Sequence, residues 1–168
     1  IFGKAVFYCS AGENGSTVLL IHGGGSDSCD FSWKYTVDAL AGRHRVIAID
    51  LPGYGKSEVP DLSRNQNPFL YHIDFIKTFL DVLNLKKVNL VGISMGGGVA
   101  LGVTLKFPQH VETLTLVDSY GLGKKLLGGK LTYFASKIPF FYEVIRLSLQ
   151  HSRFLTKLGV YNFCLLYT

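Results

Sequence analysis

The sequence has few of the residues that build disulfide frameworks or metal centres. Its 168 residues include three cysteines, one methionine and one tryptophan. Cys9, Cys29 and Cys164 are odd in number, widely spaced and outside any C-x-x-C motif, and no cluster of metal-binding residue types surrounds them in the sequence. The pattern favours free thiols in a reducing compartment. We therefore expect a cytoplasmic protein without a metal or another cofactor.

Long apolar runs are also absent. Apolar residues make up 48% of the chain and charged residues 17%. No window approaches the roughly 20 consecutive apolar residues that a membrane-spanning helix needs. Residues 1–4 lack the charged start and apolar run of a signal peptide. They also lack an initiator methionine, and we expect the natural start of the chain to be missing.

The formal net charge of +5 is concentrated near the C-terminus. Residues 1–120 hold 10 Lys and Arg against 11 Asp and Glu, whereas residues 121–168 hold seven basic residues and one acidic residue. In the second segment the basic residues alternate with large apolar side chains. That pattern indicates the solvated face of covering helices, and no nucleic-acid partner is expected.

The first 120 residues alternate strand and helix patterns. Continuous apolar runs predict buried strands, and periodic apolar residues predict helices between them. This order predicts an α/β domain over residues 1–120, with a mostly parallel sheet and helices on both faces. Residues 121–168 show helical periodicity only and are predicted to form a separate helical segment. The predicted strands are 4–10, Thr17–Ile21, Arg45–Ile49, Val88–Ile93 and Val111–Val117, and the helices are 33–40, one that begins at Asn67-Pro68, and 95–107.

The most specific motif is Gly92-Ile93-Ser94-Met95-Gly96, a G-x-S-x-G between a buried strand and a helix. A nucleophile on a tight strand-to-helix turn has a strained backbone, and its neighbours two residues away must be small. The motif predicts Ser94 as a nucleophile raised above the sheet. The Met95 N–H and the start of the helix would stabilise a developing oxyanion. The alternative is that Ser94 merely caps the helix.

Two further loops follow predicted strands. In His22-Gly23-Gly24-Gly25 the glycines allow a close backbone approach, and the Gly24 N–H is predicted as the second oxyanion donor. His22 itself is expected to pack into its turn and not to act as a base. In the loop D-L-P-G-Y-G-K-S, residues 50–57, Asp50 is expected to accept structural hydrogen bonds and not to be the catalytic acid.

Taken in order, H-G-G-G, D-x-P-G-x-G-x-S and G-x-S-x-G-G resemble the α/β-hydrolase family over nearly all of residues 1–120. The resemblance implies a Ser/His/acid triad, with Ser94 as nucleophile, Gly24 and Met95 as oxyanion donors, and a small acyl substrate. Serine at the turn disfavours dehalogenase and epoxide hydrolase chemistry, since those relatives carry aspartate there. The loops are most similar to carboxylesterases and meta-cleavage-product hydrolases, although Ile93 replaces the asparagine common in the second group.

The remaining triad members have no clear candidates. The resemblance implies that residues 121–168 are the beginning of the family's helical cap. Only 74 residues follow Ser94, whereas the family places its acid and histidine beyond the cap. Asp118, at the end of a strand, is a candidate acid, although a structural or turn-forming role is the preferred interpretation. His151 in the cap is a remote candidate for the base. We expect an incomplete C-terminus and weak activity of this chain alone.

Alternative functions remain open at this stage. The same fold also serves non-catalytic receptors for small molecules. The basic, aromatic cap would suit a lipase that binds a lipid surface, or self-association of the chain. We expect the apolar stripe of the cap to cover a pocket above Ser94; it consists of Ile138, Phe141, Ile145 and Leu149.

Overall fold

The computed structural model describes residues 1–61 and 67–123. Within them, a five-stranded sheet has the order β1-β3-β2-β4-β5. β1 is antiparallel to β3, and the other neighbouring pairs are parallel. The prediction of a mostly parallel sheet is confirmed. The strands are β1 (Tyr8–Ala11), β2 (Thr17–Ile21), β3 (Arg45–Ile49), β4 (Val88–Ile93) and β5 (Val111–Val117).

The first strand is shorter than its sequence pattern indicates. It was predicted over residues 4–10 but begins at Tyr8. The residues before it bond to the loop after β3 and not to β3 itself. The Ala5 N–H donates to the Glu58 carboxylate and the Phe7 N–H donates to the Ser57 hydroxyl. These side-chain acceptors take the place of the strand partners that a strand beginning at residue 4 would have.

Three α-helices connect the strands: α1 (Cys29–Ala41), α2 (Pro68–Val82) and α3 (Met95–Lys106). A short 3₁₀ turn at Pro108–His110 precedes β5. Polar side chains cap the N-termini of α1 and α2. Ser28 Oγ accepts from the Phe31 N–H, and Asn67 Oδ1 accepts from the Phe69 N–H. α1 therefore begins before residue 33, where its apolar periodicity first becomes clear.

Helices cover both faces of the sheet, as predicted. Alternate side chains of each strand point to opposite faces. In β2, Leu19 and Ile21 pack with α2 and α3, whereas Val18 and Leu20 pack with α1. The α1 residues that are buried in one core with Val18 and Leu20 are Cys29, Trp33 and Val37. The two cores fix the carboxyl ends of the parallel strands, where the loops described below meet.

One buried histidine makes the fold sensitive to acid. His72 on α2 is 6% exposed, and its Nδ1 has no hydrogen-bond partner among the described residues. Burial, with a smaller effect of nearby His22, lowers the pKa of His72 from 6.5 to about 4. The unfolded chain therefore binds a proton at a higher pH than the folded chain does.

We expect the free energy of unfolding to fall as pH decreases from about 6.5 to about 4. After allowance for partial solvent screening, the loss attributable to His72 is about 2 kcal/mol. Urea unfolding across this range checks the prediction against His72→Phe, which lacks the titrating ring. Equal pH dependence of the two proteins would contradict it.

Most of the predicted cap, 121–168, lies outside the described residues. Its apolar stripe, its basic charge and His151 therefore stay predictions. Among the helices that the structure describes, none has the length and apolar character needed to cross a membrane.

Candidate active site

Ser94 occupies a strained turn between β4 and α3. Its backbone has φ 51° and ψ −117°, a conformation that residues other than glycine rarely adopt. Two hydrogen bonds fix it: the Ser94 N–H donates to the Val117 carbonyl at 3.0 Å, and the Tyr120 N–H donates to the Ser94 carbonyl at 2.8 Å. The residue is exposed, and its side chain makes no capping hydrogen bond to α3. Ser94 thus occupies the N-cap position of α3, but its hydroxyl does not make the hydrogen bond that the helix-cap alternative requires.

The two flanking glycines are required by the packing of this turn. A Cβ on Gly92 would lie 2.4 Å from the Gly96 carbonyl oxygen. A Cβ on Gly96 would lie 2.2 Å from the His22 carbonyl oxygen and 2.5 Å from that of Ile21. Both separations are too short for a side chain. The motif thus lets β4, α3 and the end of β2 approach one another closely.

The glycine loop after β2 lies against the serine turn. A Cβ on Gly23 would be 3.4 Å from the Ser94 Cβ, and one on Gly24 would be 3.6 Å from the Met95 Cβ. The structure therefore brings together Ser94, Gly24 and Met95, the three residues that the sequence assigned to the site. Convergence of the Gly24 and Met95 N–H groups on one oxyanion position remains a prediction.

His22 stabilises the glycine loop through its buried ring. It is fully buried; its Nδ1 lies 2.7 Å from the Gly23 carbonyl oxygen, and its Nε2 accepts from the Leu51 N–H at 3.0 Å. This pattern assigns the proton to Nδ1. Both ring nitrogens are occupied, as expected for a histidine that packs into its turn.

Asp27 was missed by the sequence reasoning. Its carboxylate accepts from the Gly23 N–H at 2.7 Å, the Ser28 N–H at 2.7 Å and the Ser32 hydroxyl. It therefore ties the glycine loop to the first turn of α1. An Asp-Ser pair just before a helix was the available signal, but it indicates only a helix start.

Loss of this tie should impair turnover more than substrate binding. For the serine hydrolase that the sequence predicts, we expect Asp27→Ala to lower kcat about 10-fold or more, with little change in KM, because the loop would no longer hold Gly24 in place. Steady-state kinetics of the native protein measure this effect. Asp30→Ala is the matched control, since Asp30 lies nearby in α1 and makes only an exposed ion pair with Lys56. Equal losses in the two variants would count against the proposed role of Asp27.

Asp50 has the structural role that was expected of it. The side chain is buried; its Oδ1 accepts from the Cys29 N–H at 2.7 Å, and its Oδ2 accepts from the Lys56 N–H at 2.8 Å. The Ser57 hydroxyl also donates to the Asp50 carbonyl. These bonds hold the 50–57 loop beside the glycine loop.

The histidine of the triad is not found among the described residues. His44 bonds Ser16, the His110 ring lies 3.1 Å from the Lys86 carbonyl oxygen, and His22 and His72 are buried in the core. None of the four hydrogen-bonds Ser94. Asp118 is exposed and directly follows Val117, whose carbonyl accepts from the Ser94 N–H. Its position fits the candidate acid, but that role stays a prediction.

A mostly apolar cavity opens beside the serine turn. It has a volume of about 460 Å³ and is lined by Asn67, Phe69, Met95 and Tyr120. The Phe69 and Tyr120 rings lie 6.0 Å apart in a tilted pair. The cavity shares Met95 with the predicted oxyanion site, so an apolar group bound there would lie next to the reacting atoms.

One group of side chains combines donor atoms suited to a metal. The Cys9 and Cys29 sulfurs and an Asp30 carboxylate oxygen lie within 4.8 Å of one another. The sequence shows no such group, because it arises only where β1 meets the start of α1. The two cysteines are free thiols, as expected. The Asp30 carboxylate is already paired with the Lys56 ammonium at 2.8 Å. Two thiols alone make a poor site for a resident metal.

Known proteins share this sequence and fold. The chain is 41% identical over 123 residues to 2-hydroxy-6-oxo-6-(2'-aminophenyl)hexa-2,4-dienoic acid hydrolase of Metapseudomonas resinovorans. The aligned region covers 71% of this chain and 41% of that protein. It is 40% identical over 125 residues to the dihydrolipoyllysine-residue acetyltransferase component of the acetoin cleaving system of Pseudomonas putida, over 74% of this chain and 32% of that protein. The chain therefore spans less than half the length of both curated relatives.

A solved structure agrees with the sequence comparison. The meta-cleavage product hydrolase of Pseudomonas fluorescens IP01 superimposes with a TM-score of 0.69 and 30% identity, over 82% of this chain and 50% of that one. The sequence profile of the α/β-hydrolase fold matches residues 16–162. The match spans most of the chain and includes the glycine loop and the serine turn. The chain belongs to the α/β-hydrolase fold family.

Proposed function

We propose that Ser94 is the nucleophile of a serine hydrolase that acts on a carboxylic ester or a related acyl substrate. The observation that carries the proposal is the Ser94 turn itself. An exposed hydroxyl without a capping bond stands on a positive-φ backbone that β5 and the following turn hold in place. Such strain persists only where the surrounding structure imposes it, and it is concentrated at functional sites.

The reaction follows from the groups around this turn. Ser94 Oγ attacks the substrate carbonyl carbon, and its proton passes to a histidine outside the described residues. The N–H groups of Gly24 and Met95, with the N-terminus of α3, stabilise the tetrahedral oxyanion. The C–O bond to the alcohol breaks, and the histidine returns the proton to the leaving oxygen. Water then hydrolyses the acyl-enzyme by the same sequence of proton transfers.

The cavity beside Met95 supports an apolar acyl group. Phe69 and Tyr120 contribute aromatic rings to the lining, and Asn67 contributes a polar residue. Few polar groups in a mostly apolar wall are typical of small-molecule sites. We therefore expect aromatic or medium-length acyl esters to be better substrates than acetate esters.

A second candidate function is hydrolysis of a C–C bond in a meta-cleavage product. Two similar proteins carry that activity in their names, one of them 41% identical to this chain. The serine turn and the oxyanion donors would serve both reactions equally. Ile93, in place of the asparagine common before the serine in that group, favours the ester.

Parallel kinetics of the native protein distinguish the two reactions. We would measure kcat/KM for nitrophenyl benzoate and for a 2-hydroxy-6-oxo-dienoate that bears a phenyl group. A value at least about 10-fold higher for the ester supports the proposal. A higher value for the dienoate assigns the C–C reaction. No turnover of either compound, together with tight binding, would favour a receptor and reject both reactions.

A further inference from the structure

Two cysteines lie close together on the side of the sheet that α1 covers. The Cys9 Sγ on β1 is 3.9 Å from the Cys29 Sγ at the start of α1. Cys29 is fully buried, whereas Cys9 is partly exposed. Both thiols are free. Of the two residues, Cys9 is therefore the one that a small reagent would meet first.

The surroundings disfavour a charged form of the pair. Burial raises the pKa of the Cys29 thiol, and Asp50 raises it further. A bound cation would require both thiols to lose their protons beside that carboxylate. An uncharged product is better suited to this site, and two adjacent thiols have one such product, a disulfide.

We propose that Cys9 and Cys29 form a reversible disulfide when the protein meets a small-molecule disulfide such as oxidised glutathione. The Cys9 thiolate attacks one glutathione sulfur, which breaks that S–S bond, releases one glutathione thiolate and leaves a mixed disulfide on Cys9. The Cys29 thiolate then attacks the Cys9 sulfur and displaces the second glutathione. The two cysteines lose two protons and two electrons, and oxidised glutathione gains them as two molecules of thiol.

The geometry permits this bond with small movements. A disulfide requires an S–S distance of about 2.05 Å, so each sulfur must move about 1 Å from its present position. Cys9 lies on the edge strand β1 and Cys29 is the first residue of α1, so each sulfur can approach the other from the boundary of its element. The bond would join the antiparallel edge strand to α1 and close a loop of about 20 residues. The inference does not depend on the proposed role of Ser94.

Mass spectrometry tests the bond directly. Both cysteines lie in one tryptic peptide, residues 5–34, because no Lys or Arg intervenes. After treatment of the native protein with oxidised glutathione and alkylation of the remaining thiols, we expect this peptide unalkylated and lighter by two hydrogens. A peptide 5–34 that stays reduced, carries glutathione at the end point or is linked to Cys164 overturns the proposal.

Two further measurements examine the mechanism and its consequence. The closing step should accelerate about 10-fold per pH unit between pH 7 and 9, since it needs the Cys29 thiolate. The oxidised chain should melt roughly 5 to 10 °C above the reduced chain. Cys164→Ser should retain this shift and Cys9→Ser should lose it. Cys9 is partly exposed at the edge of the core, and serine has nearly the same size, so this variant removes the bond with a small change in packing. An equal melting shift in Cys9→Ser would show that another modification causes it.

Discussion

Replacement of Ser94 by alanine is expected to abolish covalent labelling of the native protein by a fluorophosphonate probe. The same change should lower ester turnover at least about 1000-fold, because the acyl-enzyme no longer forms. Folding should be little affected, since the Ser94 hydroxyl makes no capping hydrogen bond and the backbone bonds of the turn stay. Circular dichroism and the melting temperature would verify that the variant is folded.

Ser119→Ala is the matched control for this experiment. Ser119 lies close to the turn, since a Cβ on Gly97 would be 2.7 Å from its Oγ, but its hydroxyl is bonded to the Tyr120 carbonyl. The control should keep both labelling and turnover. If the Ser94 variant is labelled as strongly as the native protein, Ser94 is not the nucleophile. If neither protein is labelled, the receptor alternative gains support.

Gly96→Ala is expected to destabilise the fold by about 3 kcal/mol or more. The new Cβ would lie 2.2 Å from the His22 carbonyl oxygen, which is backbone and cannot rotate away. Relief requires α3 to move from the end of β2, and that movement disturbs both the serine turn and the glycine loop. Urea unfolding measures the stability, and labelling by the probe should fall in parallel.

Gly42→Ala is the control for glycine replacement itself. Gly42 follows α1 with φ −69°, and a Cβ there meets no atom within 4 Å. This variant should be neutral or slightly stabilised, by up to about 1 kcal/mol. Similar losses of stability in the two variants would show that the close packing at Gly96 is not the cause.

Sequence reasoning worked best where local pattern and tertiary environment agree. The bounds of β2, β3, β4 and β5 were predicted correctly. In β2 and β3 the reason is burial on both faces, which makes these strands continuous apolar runs that polar or glycine residues end. The edge strand β5 has no buried residue, and its bounds were set by Pro108 before it and the turn after it. The serine turn was located from its glycine spacing. Its packing explains that spacing, since Gly92 and Gly96 both lie too close to backbone atoms to carry a Cβ.

Features that depend on contacts between distant segments were not accessible in this way. β1 was placed too early because residues 5–7 find acceptors in the 57–58 loop, about 50 positions away. The role of Asp27 depends on the folded loop, because only the fold brings the Gly23 N–H to the Asp27 carboxylate. The proximity of Cys9 and Cys29 likewise depends on where an edge strand meets a helix start. A spacing of 20 residues carries no signal of it.

The backbone conformation that presents the Ser94 hydroxyl also lowers the folding stability of the chain. Glycine would adopt φ 51° without steric cost, whereas a serine there costs of order 1–3 kcal/mol. Selection for stability alone would thus favour the loss of the hydroxyl at this site. A protein that keeps it gives up part of a stability that totals only some 5–15 kcal/mol in a typical domain. Engineering for heat resistance should therefore leave the turn unchanged and improve the chain elsewhere.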